Sequence, residues 1–430
     1  MSPSKALTRT NPERFVAHIP GSKSYTNRAL LLAGMRPGST HVRGGLKCDD
    51  TFLLAKALGA FEGLSTSEVE DGFQVERSAE TVGAPSGEIH MGAAGTPARF
   101  MLGFSASATG ATVVTGNERL CERPMGDILD ALRATGIQVE CLGTDGCLPA
   151  RVHCGTPEGD TWTISGEVSS QFTSSLVLLA SQQASGPIRI RVTGNVVSRP
   201  YVDMTLAMMG QCGIVAERDG DDIVVTPGRP QHDVIQVEPD ASGMSYYLAA
   251  AAITGTAVEI PGIGSGSHQG DVGLAKAFER MGCTIEMGDD FIRLKGGKLK
   301  GIDIDMETMP DVVLTLAAVA ARAEGTTRIT NIANLRVKEC DRIHATAAEL
   351  GRMGVDVEEG EDFLVIHPGP MHAAEIQTYD DHRVAMTFGI LGLVVDGVEI
   401  EDPTCVAKSF PEFWNELTRF RNHHGSLAAS

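Results

Sequence analysis

Five segments of the chain put capping or small residues, most of them with a cation, directly ahead of an apolar helical run. They are Pro20-Gly21-Ser22-Lys23-Ser24-Tyr25-Thr26-Asn27-Arg28, Gly92-Ala93-Ala94-Gly95-Thr96-Pro97-Ala98-Arg99, Glu122-Arg123-Pro124-Met125-Gly126, Ser169-Ser170-Gln171-Phe172 and Asp380-Asp381-His382-Arg383. Helix N-termini present free N–H groups and the positive end of the dipole, so they favour anions. A Lys or Arg in the first turn opposes that dipole. Its repeated placement there points to an anionic ligand gripped by several helix starts.

Three further places carry chemical groups. In Asn334-Leu335-Arg336-Val337-Lys338-Glu339-Cys340-Asp341-Arg342, a helix would make Lys338 and Arg342 i,i+4 neighbours and Glu339 and Arg342 i,i+3 neighbours. This stretch is either a solvated, ion-paired helix face or part of an anion site. Asp311 opens the apolar run Val312-Val313-Leu314-Thr315-Leu316-Ala317, either as a helix cap or as a general base tuned by nearby cations. Lys408 precedes the last helix and says little alone. Gly21-Ser22-Lys23-Ser24 is not a phosphate-binding P-loop, because the residue before the Lys is not Gly. Gly92-Ala93-Ala94-Gly95 lacks the spacing of a dinucleotide fingerprint.

The elements that must position these groups follow from length and pattern. A chain of 430 residues, 42% apolar, is expected to form two or three domains with full-sized cores. It has no apolar run of about 18 residues that would span a membrane. Met1 to Arg14 is polar and lacks the core of a signal peptide, and the nine scattered cysteines show no zinc-type spacing, so a cytoplasmic protein with reduced thiols is expected. Net charge −19 argues against nucleic-acid or anionic-membrane partners. An acidic protein that handles anions must gather its cations in one place.

A junction of helix, Gly and strand recurs at Gly59, Gly136, Gly213, Gly282 and Gly354, roughly 70 to 77 residues apart. Each Gly reads as the residue just past a helix. A second helix lies upstream in each unit, as in Ser170 to Gln183. Six units would fill the chain, yet the last helix, near Pro411 to Phe420, has no strand after it, and Phe15-Val16-Ala17-His18-Ile19 has no helix before it. Either both termini fray, or they complete one unit together. The second, simpler reading makes residues 21–239 an insertion within a domain formed by 1–20 and 240–430.

Taken in order from Ile19 to Phe413, these segments, with Ser198-Arg199-Pro200-Tyr201 and Phe410-Pro411, resemble the enolpyruvyl transferase family, and within it the 5-enolpyruvylshikimate-3-phosphate (EPSP) synthases. The related UDP-N-acetylglucosamine enolpyruvyl transferases fit less well. They have Lys-Asn where this chain has Lys23-Ser24, and a Cys five residues before Arg-Pro where Cys121 lies two before Arg123-Pro124. The resemblance implies an α/β fold of two similar domains joined by two crossover strands. Each domain would be three copies of a two-helix, four-stranded unit, an inside-out α/β barrel, with helix N-termini facing the inter-domain cleft.

It also implies transfer of the enolpyruvyl group of phosphoenolpyruvate to the 5-hydroxyl of shikimate 3-phosphate, on the route to chorismate and the aromatic amino acids, with no metal or organic cofactor, in a monomer. Carried over by position, shikimate 3-phosphate would be held by Lys23, Ser24, Arg28, Ser169, Ser170, Gln171, Ser198, Asp311, Asn334 and Lys338. Phosphoenolpyruvate would be held by Lys23, Gly95, Arg123, Gln171, Lys338, Arg342, His382, Arg383 and Lys408. Asp311 would be the base toward the 5-hydroxyl, and either Glu339 or Lys23 would move the proton at the vinyl methylene. Cations facing across an empty cleft would repel and hold it open. One loop departs from the family's Asn-Ala-Gly-Thr-Ala-Met-Arg-Pro: here Ala93 replaces the Asn and Phe100 the final Pro. That departure implies weaker inhibition by glyphosate, which competes with phosphoenolpyruvate in this family.

Overall fold

The computed structural model describes residues 14–182 and 186–428, with side chains to 425; residues 1–13 and Gln183 lie outside the described residues. Thirteen α-helices are present among them. The first helix of each repeat is nearly all buried: α1 (Lys23–Met35), α3 (Gly95–Ala106), α6 (Ser170–Ser181), α8 (Ala241–Thr254), α10 (Val313–Ala320) and α12 (His382–Leu391). Their Ala-, Leu- and Ser-rich sequences lack a polar face, so they fit only in an interior. The others are α2 (Asp49–Gly59), α4 (Glu118–Glu122), α5 (Gly126–Ala134), α7 (Arg199–Gln211), α9 (Leu274–Arg280), α11 (Arg342–Arg352) and α13 (Phe413–Ala428). Helix α11, whose core-facing residues include Ile343, Ala345 and Leu350, turns its other face to solvent. No helix among the described residues is long and apolar enough to cross a membrane.

The repeat is a strand, helix, strand, helix and hairpin. In the first unit the sheet order is Val234–Gln236, Gly38–Arg43, Gly72–Arg77, Leu64–Val69, with the first pair parallel and the others antiparallel. The same order recurs in the sheets led by Ile89–His90, Thr161–Ser165, Arg14–Val16 and Asp303–Asp305. The sheets stay separate and do not join into a closed barrel. Gly136, Gly213, Gly282 and Gly354 end their helices with φ from 82 to 107°, and the next N–H reaches back to the helix, as in Ile137 N to Leu132 O (3.2 Å) and Val355 N to Leu350 O (3.0 Å). Gly59 differs: it is the last residue of α2, and the left-handed turn there falls at Gly63.

The sixth unit has two strands, Glu375–Ile376 and Glu399–Ile400, instead of four. After Ile400 the chain enters a 3-10 turn, Pro403–Lys408, and then α13 rather than a hairpin. The first described strand and the last helix do meet, but in the fourth unit and not in the sixth. Arg14–Val16 runs parallel to Ala257–Pro261 and leads the fourth sheet. Helix α13 lies on it, with Phe420 against Phe15 (centroids 5.1 Å apart) and Arg419 Nη2 donating to Val16 O at 3.0 Å.

The apolar interior forms two clusters. One runs from Tyr25 to Val237; the other joins Phe15 and Ala17 to residues from Ala241 to Phe420. The chain passes between them twice side by side, where Ser22 N donates to Glu238 O (2.8 Å) and Asp240 N to Pro20 O (2.9 Å).

Candidate active site

The buried helices of both clusters aim their N-termini at one cavity. Lys23 and Ser24 begin α1, Gly95 and Thr96 begin α3, and Ser169 to Gln171 begin α6. From the other cluster come Asp311, just ahead of α10, and Arg383 in the first turn of α12. Caps hold these starts: Ser22 accepts from Tyr25 N, Ser169 from Gln171 N, and Asp381 from Arg383 N.

Six cations line the cavity (Lys23, Arg99, Arg123, Lys338, Arg342, Arg383) against three carboxylates (Asp50, Asp311, Glu339). That excess of three positive charges stands inside a protein of net charge −19, so the wall is built for anions. Arg123 is 5% exposed and its Nε has no hydrogen-bond partner. It packs so closely on Gly95 that a Cβ there would lie 2.6 Å from Nη1. A buried guanidinium left unsatisfied is costly unless a ligand completes it.

Four of the other five cations are engaged by acids, while Arg99 donates to the Gln171 amide oxygen. Arg342, 1% exposed, donates from Nε to Asp381 (2.7 Å), from Nη1 to Asp311 (3.1 Å) and from Nη2 to Glu339 (2.9 Å). Asp311 also receives Lys338 (3.4 Å), Arg383 (3.1 Å) and the Tyr201 hydroxyl (3.0 Å). Neither Asp311 oxygen caps a helix, so the capping alternative is excluded. Lys23 Nζ pairs with Asp50 at 3.1 Å.

These contacts set protonation. Burial would raise Asp311, but Arg383, Lys338 and Arg342 outweigh it and hold the carboxyl well below the usual range. Burial likewise opposes Glu339, yet Lys408, Arg342 and Arg123 keep it well below its ordinary value. Burial lowers Lys23, but Asp50 and Glu339 outweigh that and raise it, so it stays charged. Burial first, then Lys23 and Arg383, push His382 well down, so its ring is neutral.

All the site residues expected from sequence line the cavity except Arg28, His382 and Lys408. Arg28 lies behind the wall, 1% exposed, its donors taken by Thr205, Ser24 O and Tyr201 O, with its guanidinium 5.3 Å from the Phe100 ring centroid. His382 is fully buried. Lys408 reaches the site through Glu339 (3.3 Å) and also donates to Ala93 O (3.3 Å). Lys338 and Glu339 are not on a helix: α11 begins at Arg342, so the expected i,i+4 face is absent, and burial of Arg342 excludes a solvated face.

Sequence reasoning missed Asp50, Arg99 and the role of Tyr201. Asp50 is an ordinary-looking acid in the first turn of α2. Arg99 binds Gln171 at 2.7 Å and stacks on Phe172. The expected bare repulsion across the cleft is also absent. Acids pair most of the cations, and the two sides touch: Arg119 donates to Glu339 O (3.1 Å) and Lys338 O (3.2 Å), and Asn334 to Ser198 (3.2 Å).

The profile of the family described as EPSP synthase (3-phosphoshikimate 1-carboxyvinyltransferase) matches residues 13–417. The chain belongs to the EPSP synthase family. Proteins named 3-phosphoshikimate 1-carboxyvinyltransferase are 41% identical over 408 residues in Shewanella denitrificans and 42% identical over 411 residues in Erwinia tasmaniensis, each alignment covering 94% of this chain and 95% of the relative. The solved EPSP synthase of Acinetobacter baumannii superposes with a TM-score of 0.79 at 28% identity, covering 94% of this chain and 95% of its own. The enolpyruvyl transferase NikO of Streptomyces tendae has a TM-score of 0.73 at 16% identity, covering 94% of both chains, a likeness of fold.

Proposed function

We infer that the protein transfers the enolpyruvyl group of phosphoenolpyruvate to the 5-hydroxyl of shikimate 3-phosphate, giving 5-enolpyruvylshikimate 3-phosphate and phosphate. Membership of the EPSP synthase family assigns the reaction. The observation that carries it at the site is a carboxylate, Asp311, held among three cations in a cavity that three further cations line.

In the mechanism we propose, the 5-hydroxyl oxygen adds to the central carbon of phosphoenolpyruvate while Asp311 takes the hydroxyl proton. A proton arrives at the vinyl methylene, making a methyl group and a tetrahedral ketal phosphate. Elimination then removes a methyl proton and expels phosphate. Ser24, Ser169, Ser170, Gln171, Ser198, Asn334, Lys23 and Lys338 hold shikimate 3-phosphate, with Arg28 bracing Ser24 from behind. Arg123, Arg342, Arg383 and the backbone at Gly95 hold phosphoenolpyruvate, with Lys408 and His382 acting from one layer further out. Such fixed charges contribute the largest catalytic effect in many enzymes. Lys23 carries a proton and Glu339 does not. Glu339 becomes a donor once substrate anions offset Lys408, Arg342 and Arg123.

The segments 1–20 with 240–430, and 21–239, are proposed as two domains, supported by the two apolar clusters and the paired crossings at Ser22 and Asp240. Net charge −19 supports a monomer that binds neither nucleic acid nor anionic membrane, and nine unpaired cysteines support a cytoplasmic location. A phosphate-release assay tests the reaction. Release that requires both substrates is expected; no release with both present would overturn it.

A further inference from the structure

Behind Asp311 lies a second buried carboxyl that the proposed transfer does not use. Asp271, in the 3-10 turn Gly270–Gly273, is 3% exposed. Its Oδ2 accepts from the Ser242 hydroxyl in the first turn of α8, and its Oδ1 has no hydrogen-bond partner. Ser242 Oγ accepts from Arg383 Nη2 at 3.3 Å, and the same nitrogen donates to Asp311 Oδ2 at 3.1 Å. One guanidinium nitrogen is thus shared between a Ser242–Asp271 arm and an Asp311 arm.

The groups facing Asp271 are Asp311 ahead of α10, Arg383 on α12, Asp240 and Ser242 at the start of α8, and Tyr201 on α7. Arg383 is the one cation among them, and it reaches Asp271 only through a hydroxyl. Asp311 has three cations of its own. Two carboxylates that compete for one cation in a dry interior do not both ionise cheaply, and the proton goes to the less supported one. Burial, and then the charge of Asp311, push Asp271 up to about 7.

We propose that Asp271 is a positioning residue that holds the proton of the Asp271–Asp311 pair and, through Ser242, controls how far Arg383 is available to phosphoenolpyruvate. The proposal rests on the substrate role given to Arg383 above. Neutral Asp271 leaves Arg383 to the substrate. Ionised Asp271 draws Arg383 back through Ser242 and adds a negative charge beside an anion site. Phosphoenolpyruvate binding therefore weakens as pH rises through the titration of Asp271. If the ionised form does not bind it, the competent fraction falls and KM rises about tenfold from pH 6 to pH 8, since apparent affinity scales with that fraction.

The test uses the full-length protein. KM for phosphoenolpyruvate at saturating shikimate 3-phosphate is measured from pH 6 to 8.5 for wild type, Asp271→Asn and Ser242→Ala. Phosphoenolpyruvate's own titration is common to all three. Both variants are expected to lose the tenfold rise while kcat changes only a few-fold; Ser242→Ala carries this readout should Asp271→Asn fail to fold. A rise that persists in both overturns the proposal. Infrared difference titration gives a second readout without turnover. A protonated-carboxyl band should disappear near pH 7 in wild type, and its midpoint should fall by about one unit or more in Asp311→Asn, where the like charge is gone. A missing band, or one that does not move, overturns the pairing. If Asp311 is not the base, Asp311→Asn keeps its turnover while the midpoint still moves, so the two ideas fail separately.

Discussion

Replacing Asp311 by Asn separates catalysis from binding, because the amide keeps the shape and loses both charge and basicity. Asp311 receives Arg342, Arg383, Lys338 and Tyr201 within 3.4 Å. Loss of a general base costs about 10²–10⁴ in rate, or about 3–5 kcal/mol of barrier at about 1.4 kcal/mol per tenfold. The same change leaves three cations without their shared anion. Breaking a buried pair costs about 3–5 kcal/mol, and with Asp311's side chain 17% exposed the lower end applies. The ligand-free variant should therefore melt earlier. It should bind shikimate 3-phosphate at least as tightly as wild type, because the freed cations gain an anionic partner, and bound ligand should restore most of the lost melting temperature. The assays are phosphate release, calorimetric titration of shikimate 3-phosphate, and melting with and without it. Turnover near wild type would refute the base; much weaker shikimate 3-phosphate binding with proportionate turnover would make Asp311 a binding group only.

Three further outcomes follow from neighbouring geometry. Gly95→Ala places a methyl 2.6 Å from Arg123 Nη1, so the guanidinium must shift; KM for phosphoenolpyruvate should rise several-fold, and glyphosate, the longer ligand, should lose more affinity than the substrate. Phe100, fully buried under Arg28, should make the protein less sensitive to glyphosate than its Phe100→Pro variant, and equal, tight inhibition constants for both would sink that idea. Asp271→Asn should be more stable than wild type at neutral pH. The folded carboxyl is raised from 3.8 to about 7, so its stability is complete below pH 4 and is lost as pH rises to 7. Denaturation should show a gap that widens over that window to at most about 4 kcal/mol and then stays flat.

The parts of the fold that announce themselves in sequence are those with local chemistry. Gly136, Gly213, Gly282 and Gly354 mark helix ends because a left-handed residue is needed there. Asp381 and Ser169 mark helix starts because their side chains bind free N–H groups. Long-range pairing is not local, so the unit that the N-terminal strand joins is not legible in sequence: the docking of Arg14–Val16 on Ala257–Pro261 depends on residues more than 240 positions away. The same limit applies at the site. A helix start locates Lys23 and Ser24, but Arg28, one turn further, points into the core at Thr205 and Tyr201. Asp50 and Arg99 looked ordinary because what gives them a role is their neighbours, Lys23 and Gln171.

Those neighbours also explain how six cations can share one cavity. Left bare, the six cations would repel one another in a low-dielectric space. Asp50, Asp311 and Glu339 remove much of that repulsion, and Asp311 and Glu339 are in turn held ionised, far below their ordinary range. A carboxylate stabilised that strongly is a weak base. Substrate anions that take over Arg342, Arg383 and Lys338 withdraw that stabilisation, so the affinity of Asp311 for a proton must rise as the site fills. In the proposed mechanism, binding and activation of the base are then one electrostatic event. If Asp311 is the base proposed above, it gains basicity only when both substrates have displaced it from its cations, and it stays silent until there is a hydroxyl to take a proton from.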